Sequence, residues 1–333
     1  MSQNFQKWYE REASDDGIII SSRVRLARNL KKHRFPARLE KEEAEAVVNE
    51  LSDAFSLGPV FTVTRVADGT NADSLHKLVT HHLISPEFAA KKGERGYAVS
   101  PDEAVCVMIN EEDHVRLQSI CAGDDLEAAY SAADKADNFI EETVEYAFDA
   151  DFGYLTACPT NAGTGMRASY MLHLPGITQT GGIAGISQAA GKFGMAVRGL
   201  HGEGSEPMGA VFQLSNQTTM GQSEADIIAA TKSLTREIME RENAVKDKLL
   251  REMSALIDDK VFRSYGILAN CRVLRLPEAM GLLSNVRMGY VWGRLTLPRP
   301  QKPVYQIMIE VQDVSDDVLR ADYVREMFGV RNV

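Results

Sequence analysis

Ser21-Ser22-Arg23-Val24-Arg25-Leu26-Ala27-Arg28 sets polar and charged residues against aliphatic ones in alternation. That period predicts a strand with Arg23 and Arg25 on one face. Two guanidinium groups on one face can grip a polyphosphate through bidentate, charge-assisted hydrogen bonds. Taken alone, the same pattern also describes a solvated edge strand. Working outward, Phe61 to Val66, Val105 to Ile109, Gly153 to Ala157, Ser169 to Leu174 and Gly209 to Leu214 read as further strands, and Leu39 to Phe55 as an acidic amphipathic helix. Strands and helices do not alternate regularly, which favours an α+β fold over a doubly wound sheet.

The pattern changes after Gly221. Ser223 with Asp226 forms a capping box, and it opens a long helix with apolar residues at Ile227, Leu234, Ile238, Val245, Leu249 and Leu256. Further helices are expected near Pro277 to Tyr290 and Asp316 to Phe328. The expected division is a catalytic domain over residues 1–248 and a small helical domain over 249–333.

The chain's 333 residues, 44% of them hydrophobic, can build one large core and a smaller one. Met1 to Asp16 is polar and carries no secretory signal. The longest stretch without Asp, Glu, Lys or Arg, Ala168 to Gly191, is studded with Gly, Thr, Gln and Ser and reads as buried strand and loop, not a membrane span. The expectation is a soluble, cytoplasmic protein. Cys106, Cys121, Cys158 and Cys271 are far apart, which argues against a zinc site or disulfide framework, and no residue is assigned to a metal. A net charge of −10 argues against nucleic acid as a partner and suits a basic one.

Three more segments carry chemistry-bearing residues. Asn110-Glu111-Glu112-Asp113-His114-Val115-Arg116 follows an apolar run, so three acids leave a buried strand where one could serve as general base and Arg116 could face a phosphate. A charged turn would show the same composition. Cys158-Pro159-Thr160-Asn161-Ala162-Gly163-Thr164-Gly165-Met166-Arg167 places a cysteine before hydroxyls and Gly-rich backbone, a setting that could hold a thiolate. A lone cysteine is otherwise a buried apolar residue. Arg198-Gly199-Leu200-His201-Gly202-Glu203 brackets a carboxylate with glycines, as a closing loop would, although an ordinary surface loop would look alike. Gly181-Gly182-Ile183-Ala184-Gly185 lacks dinucleotide-loop spacing and no P-loop motif is present, so side chains would have to neutralise any bound nucleotide.

Together, Ser22-Arg23-Val24-Arg25, Asn110-Glu111-Glu112-Asp113-His114, Cys158-Pro159-Thr160-Asn161 through Gly165, and Arg198-Gly199 resemble the phosphagen (guanidino) kinase family in order and spacing, from about Gly17 to Lys246. The helical N-terminal domain of the family's metabolite kinases has no counterpart in this sequence. That feature, with Leu83-Ile84-Ser85-Pro86 and the helical C-terminal segment, resembles the bacterial McsB-type protein arginine kinases. The resemblance implies a guanidino-kinase catalytic domain with a mainly antiparallel sheet flanked by helices, and ATP-dependent phosphorylation of protein arginines. It further implies ATP phosphates cradled by Arg23, Arg25, Arg116, Arg167 and Arg198 with bridging Mg²⁺, and His82 against the adenine. Glu112 would be the general base, Glu203 its partner, and Cys158 a thiolate beside the guanidinium.

The same resemblance implies a role in stress response and protein degradation, and basic protein substrates such as transcriptional repressors. It also implies an activator protein, Clp-type protease machinery and a homodimer. The alternatives are a free-arginine kinase and a non-catalytic protease adaptor. One departure stands out. McsB-type proteins carry an Arg-Asp-x-x-Arg-Ala element associated with phosphoarginine sensing, and here the segment is Asp316-Asp317-Val318-Leu319-Arg320-Ala321, with an acid in the first arginine's place.

Overall fold

The alternating arginine stretch forms strand β1 (Ile19–Arg28) in the computed structural model, which describes residues 5–11, 17–56, 61, 63–68, 70, 72–199 and 208–329. The other strands are β2 (Val63–Val66), β3 (Arg95–Val99), β4 (Val105–Ile109), β5 (Val115–Ala122), β6 (Phe148–Asp149), β7 (Gly153–Tyr154), β8 (Met166–His173), β9 (Met195–Gly199) and β10 (Val211–Asn216). Eight of them join one sheet in the order β2-β3-β4-β5-β1-β8-β10-β9, and β6 pairs with β7. The ladders from β2 through β5 to β1 are all antiparallel. Helices α1 (Lys41–Ser56), α2 (Ala72–Thr80), α3 (Pro86–Ala90), α4 (Leu126–Glu141), α5 (Pro175–Gln179) and α6 (Ile183–Lys192) are interleaved with the strands. Helices α7 (Glu224–Glu252), α8 (Ser254–Asn270), α9 (Leu276–Val291), α10 (Val304–Glu310) and α11 (Asp317–Met327) follow them. The fold is therefore α+β, a mainly antiparallel sheet flanked by helices, with a helical C-terminal region.

Two compact units can be distinguished. One comprises Met1–Trp8, Ser21–Ser169 and Ser215–Thr231, the other Tyr9–Ile20, Tyr170–Leu214 and Lys232–Val333. In the first, α1 turns Val47, Val48, Leu51 and Phe55 fully inward, each side chain contributing roughly 1.5–3 kcal/mol by burial. A second cluster joins Leu75, Leu83, Ile84 and Phe88 to Cys106 and Met108. Ser85 caps α3 through Phe88 N, and Pro86 follows at the position where a missing N–H costs nothing. In the second unit α8 packs against α9, with Ile257, Val261 and Leu268 of the one and Leu283 and Val286 of the other buried. Gly289 permits this approach, because a Cβ there would collide with Val261.

The capping box forms as expected, with Asp226 N donating to Ser223 Oγ at 3.1 Å and Ser223 N to Asp226 Oδ2 at 3.3 Å. The helix it opens is shorter than the apolar seam suggests. It ends at Glu252, Met253 leaves helical geometry at φ −136°, and α8 begins at once. Leu256, expected on the seam, is 62% exposed, and Ile257 is buried instead. The strand expected over residues 153–157 also stops early, at Tyr154, because Leu155 and Ala157 spend their N–H groups on Ala147 O and the Asp113 side chain. No helix among the described residues is long and apolar enough to cross a membrane.

Candidate active site

Strand pairing assembles the arginines. In the β1–β5 ladder Arg23 lies opposite Ile120, Arg25 opposite Gln118, and Ala27 opposite Arg116. Residues directly opposite share a face, so Arg23, Arg25 and Arg116 project from the same side of the sheet. Arg28, one residue out of phase, does something else. It pairs with Asp137 at 2.7 Å, donates to Ala27 O and Thr164 O at 2.9 Å, and lies 3.5 Å from the centre of the Tyr154 ring. Arg167 stands at the start of β8, where Asn216 clamps both sides of it by accepting from Ala168 N and donating to Met166 O.

Arg25 is the focus of this cluster. Burial first, then the charges of Arg23, Arg116 and Arg167, hold its pKa well below the ordinary guanidinium value, with Glu111 the opposing charge. Its Nε is buried and has no hydrogen-bond partner among the described residues. A guanidinium stays protonated at neutral pH, so the fold sustains a charge that Glu111 offsets only in part. The chemistry that would relieve it is an anion with several oxygens, and a triphosphate fits.

The strand end beside this face is fixed by its acids. Glu111 accepts from Arg116 Nη1 at 2.7 Å, Ser85 Oγ at 2.6 Å and Glu112 N at 2.8 Å. Burial pushes its pKa up, but the charge of Arg116 and these hydrogen bonds outweigh that and keep it below the usual carboxylate value. Asp113 accepts from Asn29 Nδ2 and Ala157 N, both at 2.6 Å. Burial is the main reason its pKa is raised. His114 accepts from Leu30 N at Nδ1 and donates from Nε2 to Arg34 O, and burial lowers its pKa to about 4. Glu112, between these anchored neighbours, is exposed, and among the described residues its carboxylate takes no hydrogen bond.

The bond from Asp113 to Ala157 brings Cys158 to the acidic turn. Cys158 Sγ lies 3.0 Å from Thr160 Oγ1, and Cys158 O accepts from Asn161 N. Gly165 closes the loop against β1 by accepting from Ala27 N. It does so at φ +63°, where a Cβ would come within 2.6 Å of Ala27 O. His82 sits at φ +61° with its ring centroid 6.1 Å from that of Trp8. Its carbonyl accepts at 2.7 Å from Gln118, the residue opposite Arg25. Seven expected site residues, Arg23, Arg25, His82, Glu112, Arg116, Cys158 and Arg167, thus fall in the first unit. Arg198 is on β9 in the second, and Glu203 lies outside the described residues.

Sequence reading missed the supporting set: Ser85 on Glu111 and Glu111 on Arg116, Asp113 as the tether to the cysteine loop, and Asn29, which donates to Asp113 and accepts from His114 N. The legible signal was phase, since Glu111 and Asp113 flank Glu112. In the C-terminal region, Asp316 caps α11 by accepting from Val318 N and Leu319 N, which gives the acid at that position a structural task.

An arginine-lined sheet face beside an acidic turn and a cysteine defines a class, the guanidino phosphotransferases. The family model for the ATP:guanido phosphotransferase C-terminal catalytic domain matches residues 40–245. The solved structure of lombricine kinase superposes with a TM-score of 0.63 at 22% identity, over 71% of this chain and 69% of that one, a likeness of fold. The duplicated taurocyamine kinase from Schistosoma mansoni gives 0.60 at 25% identity, over 84% of this chain and 41% of that one. Residues 254–332 match the protein-arginine kinase McsB C-terminal domain. The protein-arginine kinase of Bacillus mycoides (strain KBAB4) is 44% identical over 299 residues, 88% of this chain and 84% of the relative. That of Shouchella clausii (strain KSM-K16) is 42% identical over 292 residues, 86% and 81% of the two chains. The chain belongs to the protein-arginine kinase family of ATP:guanido phosphotransferases.

Proposed function

We propose that this enzyme transfers the γ-phosphoryl group of ATP to arginine side chains of proteins, with the γ- and β-phosphates held by Arg23, Arg25, Arg116 and Arg167. The observation that carries the nucleotide assignment is the half-buried Arg25 guanidinium, set among three like charges, with its buried Nε unpartnered among the described residues. Arg198 joins the phosphate ligands and His82 the adenine by sequence position. Five guanidinium groups would offset the triphosphate and the charge spread over the transferring group. Mg²⁺ carried by the nucleotide would supply further neutralisation of the phosphate charge.

The acceptor is a poor nucleophile, because a guanidinium with pKa above about 12 holds its nitrogen lone pairs in the protonated, delocalised system. Glu112 is the base: its carboxylate is exposed and takes no internal hydrogen bond among the described residues, while its neighbours are locked. As the N–P bond forms and the P–O bond to ADP breaks, the proton of the attacking nitrogen passes to Glu112. Cys158 and, by sequence position, Glu203 would orient the planar guanidinium. The proposed division into a catalytic segment over 1–248 and a helical one over 249–333 is supported by family matches at 40–245 and 254–332.

Basic proteins such as transcriptional repressors are the substrates this reading favours, because a chain of net charge −10 attracts them. An activator protein, a Clp-type protease and a second copy of the chain are the proposed partners. The test incubates the enzyme with ATP and either an arginine-rich protein or free arginine, and follows acid-labile phosphate. Higher kcat/KM on the protein, falling as salt approaches roughly 0.3 M, is expected. Equal or better use of free arginine contradicts the reading.

A further inference from the structure

A cavity of about 600 Å³ lies between α2, α3 and the segments that follow β2 and precede β3. It shares no lining residue with the arginine face or the acidic turn, and its volume falls within the range of small-molecule sites. Leu75, Val79, Pro86 and Ala89 make its apolar wall, and Lys91, Lys92 and Arg95 line it too, against one acid, Asp68.

The cations are unevenly engaged. Arg95 is 4% exposed, donating from Nε to Phe88 O at 3.1 Å and from Nη1 to Gly93 O at 3.0 Å. Its Nη2 makes no hydrogen bond among the described residues, and Asp68, 3.9 Å from Nη1, is 65% exposed. Lys92 is exposed and makes no hydrogen bond or ion pair with any described residue. A cavity with an aliphatic wall, a buried guanidinium with donors to spare and an excess of positive charge is matched to a ligand with an apolar body and an anionic head.

Lys91 links this cavity to the catalytic turn. Its Nζ donates to Asn110 O at 2.8 Å and to Glu111 O, the carbonyls just before Glu112. Burial is the main cause of its lowered pKa, so its charge is held here at some cost. An anion in the cavity competes with those carbonyls for the ammonium. We propose that the cavity is an effector site for a small amphipathic anion, an aliphatic or aromatic body bearing one carboxylate or phosphate, and that its occupant slows phosphoryl transfer by drawing Lys91 off the Asn110–Glu111 carbonyls.

The probes are 2-naphthoate and, as a neutral control of similar shape, 2-naphthylmethanol, titrated into the full chain with ligand-observed NMR. Expected are one saturable naphthoate site and far weaker binding of the alcohol. Lys92→Glu should weaken naphthoate about tenfold, and Ala90→Trp, a change at an exposed lining residue, should abolish binding. No saturable binding, equal binding of the alcohol, or unchanged binding to Ala90→Trp would overturn the site. This arm needs no turnover, so it stands or fails apart from the kinase reading. In the kinetic arm, saturating naphthoate should lower kcat about fivefold with the KM for ATP unchanged. Lys91→Met should lose that response whatever its own basal rate. Naphthoate that binds but leaves kcat alone would overturn the coupling.

Discussion

The guanidinium of Arg320, in α11, donates to Leu274 O at 2.9 Å, Val311 O at 3.0 Å and Val314 O, and pairs with Asp317 at 2.5 Å. Arg325, one turn on, does the same with Cys271 O and Asp322. Arg25, on β1, has a buried Nε without a partner among the described residues and like charges around it. All three sit within the fold, yet the first two tie chain segments together while the third is held against its own interest. A buried charge whose donors are spent internally acts as a crosslink, and one whose donors are kept open is built for something that arrives. The adjacent carboxylates repeat the contrast on a smaller scale, since Glu111 carries three hydrogen bonds and Glu112 receives none among the described residues.

The carboxylate contrast gives the largest expected effect. Glu112→Gln should lower kcat by roughly 10²–10⁴ with ATP affinity nearly unchanged, read by single-turnover transfer and by calorimetry. A collapse of ATP binding with turnover retained would move Glu112 to the nucleotide side. Next, Arg320→Met should destabilise the fold by about 3 kcal/mol, because it strands three carbonyls and the Asp317 carboxylate. Urea unfolding measures it, and a loss below about 1 kcal/mol would make Arg320 no crosslink.

His114 sharpens the account of how the acidic turn is anchored. Its pKa is depressed to about 4 by burial, so the unfolded chain, with a histidine near the ordinary ~6.5, binds the extra proton first. The stability from neutral His114 is thus fully present above about pH 6.5 and is lost as pH falls towards 4. Unfolding free energy should drop with falling pH in that window, by about 2–4 kcal/mol from this group. In His114→Gln the slope should be shallower by about one proton, and an unchanged slope would place the titration elsewhere. The smallest effect is expected at Cys158. Cys158→Ala should cost about tenfold in kcat without unfolding the chain, and alkylation of Cys158 should slow when nucleotide and acceptor are bound together. Alkylation indifferent to ligands would make the thiol a bystander.

Much of this contrast was legible in the residues. The period of two in Ser21 to Arg28 put Arg23 and Arg25 on one face, as the strand does, because strand geometry sends alternate side chains to opposite faces. The apolar run Val105 to Ile109 marked β4, so the acids after it had to leave the sheet together. Partnership across the chain left no such signal. Nothing local to Asp113 announces that it will hold Ala157 N, 44 residues away, nor to Asn29 that it will meet the same carboxylate. The alanine-rich α4 was overlooked, although Asp125 caps it and Leu126, Ala129, Ala133 and Ile140 turn inward, because small side chains make a weak apolar stripe. The break at Met253 was hidden because the seven-and-four spacing runs on to Leu256 across two helices.

The central claim is that Arg25 is kept open for the nucleotide's phosphates. Arg25→Met, examined by ATP titration calorimetry and urea unfolding on the same preparation, tests it most directly. The account predicts ATP binding weaker by about ten- to a hundredfold and a fold as stable as the parent or more so, since a half-buried charge crowded by three like charges has been removed. ATP affinity within about twofold of the parent, or a loss of stability as large as that of Arg320→Met, would contradict it.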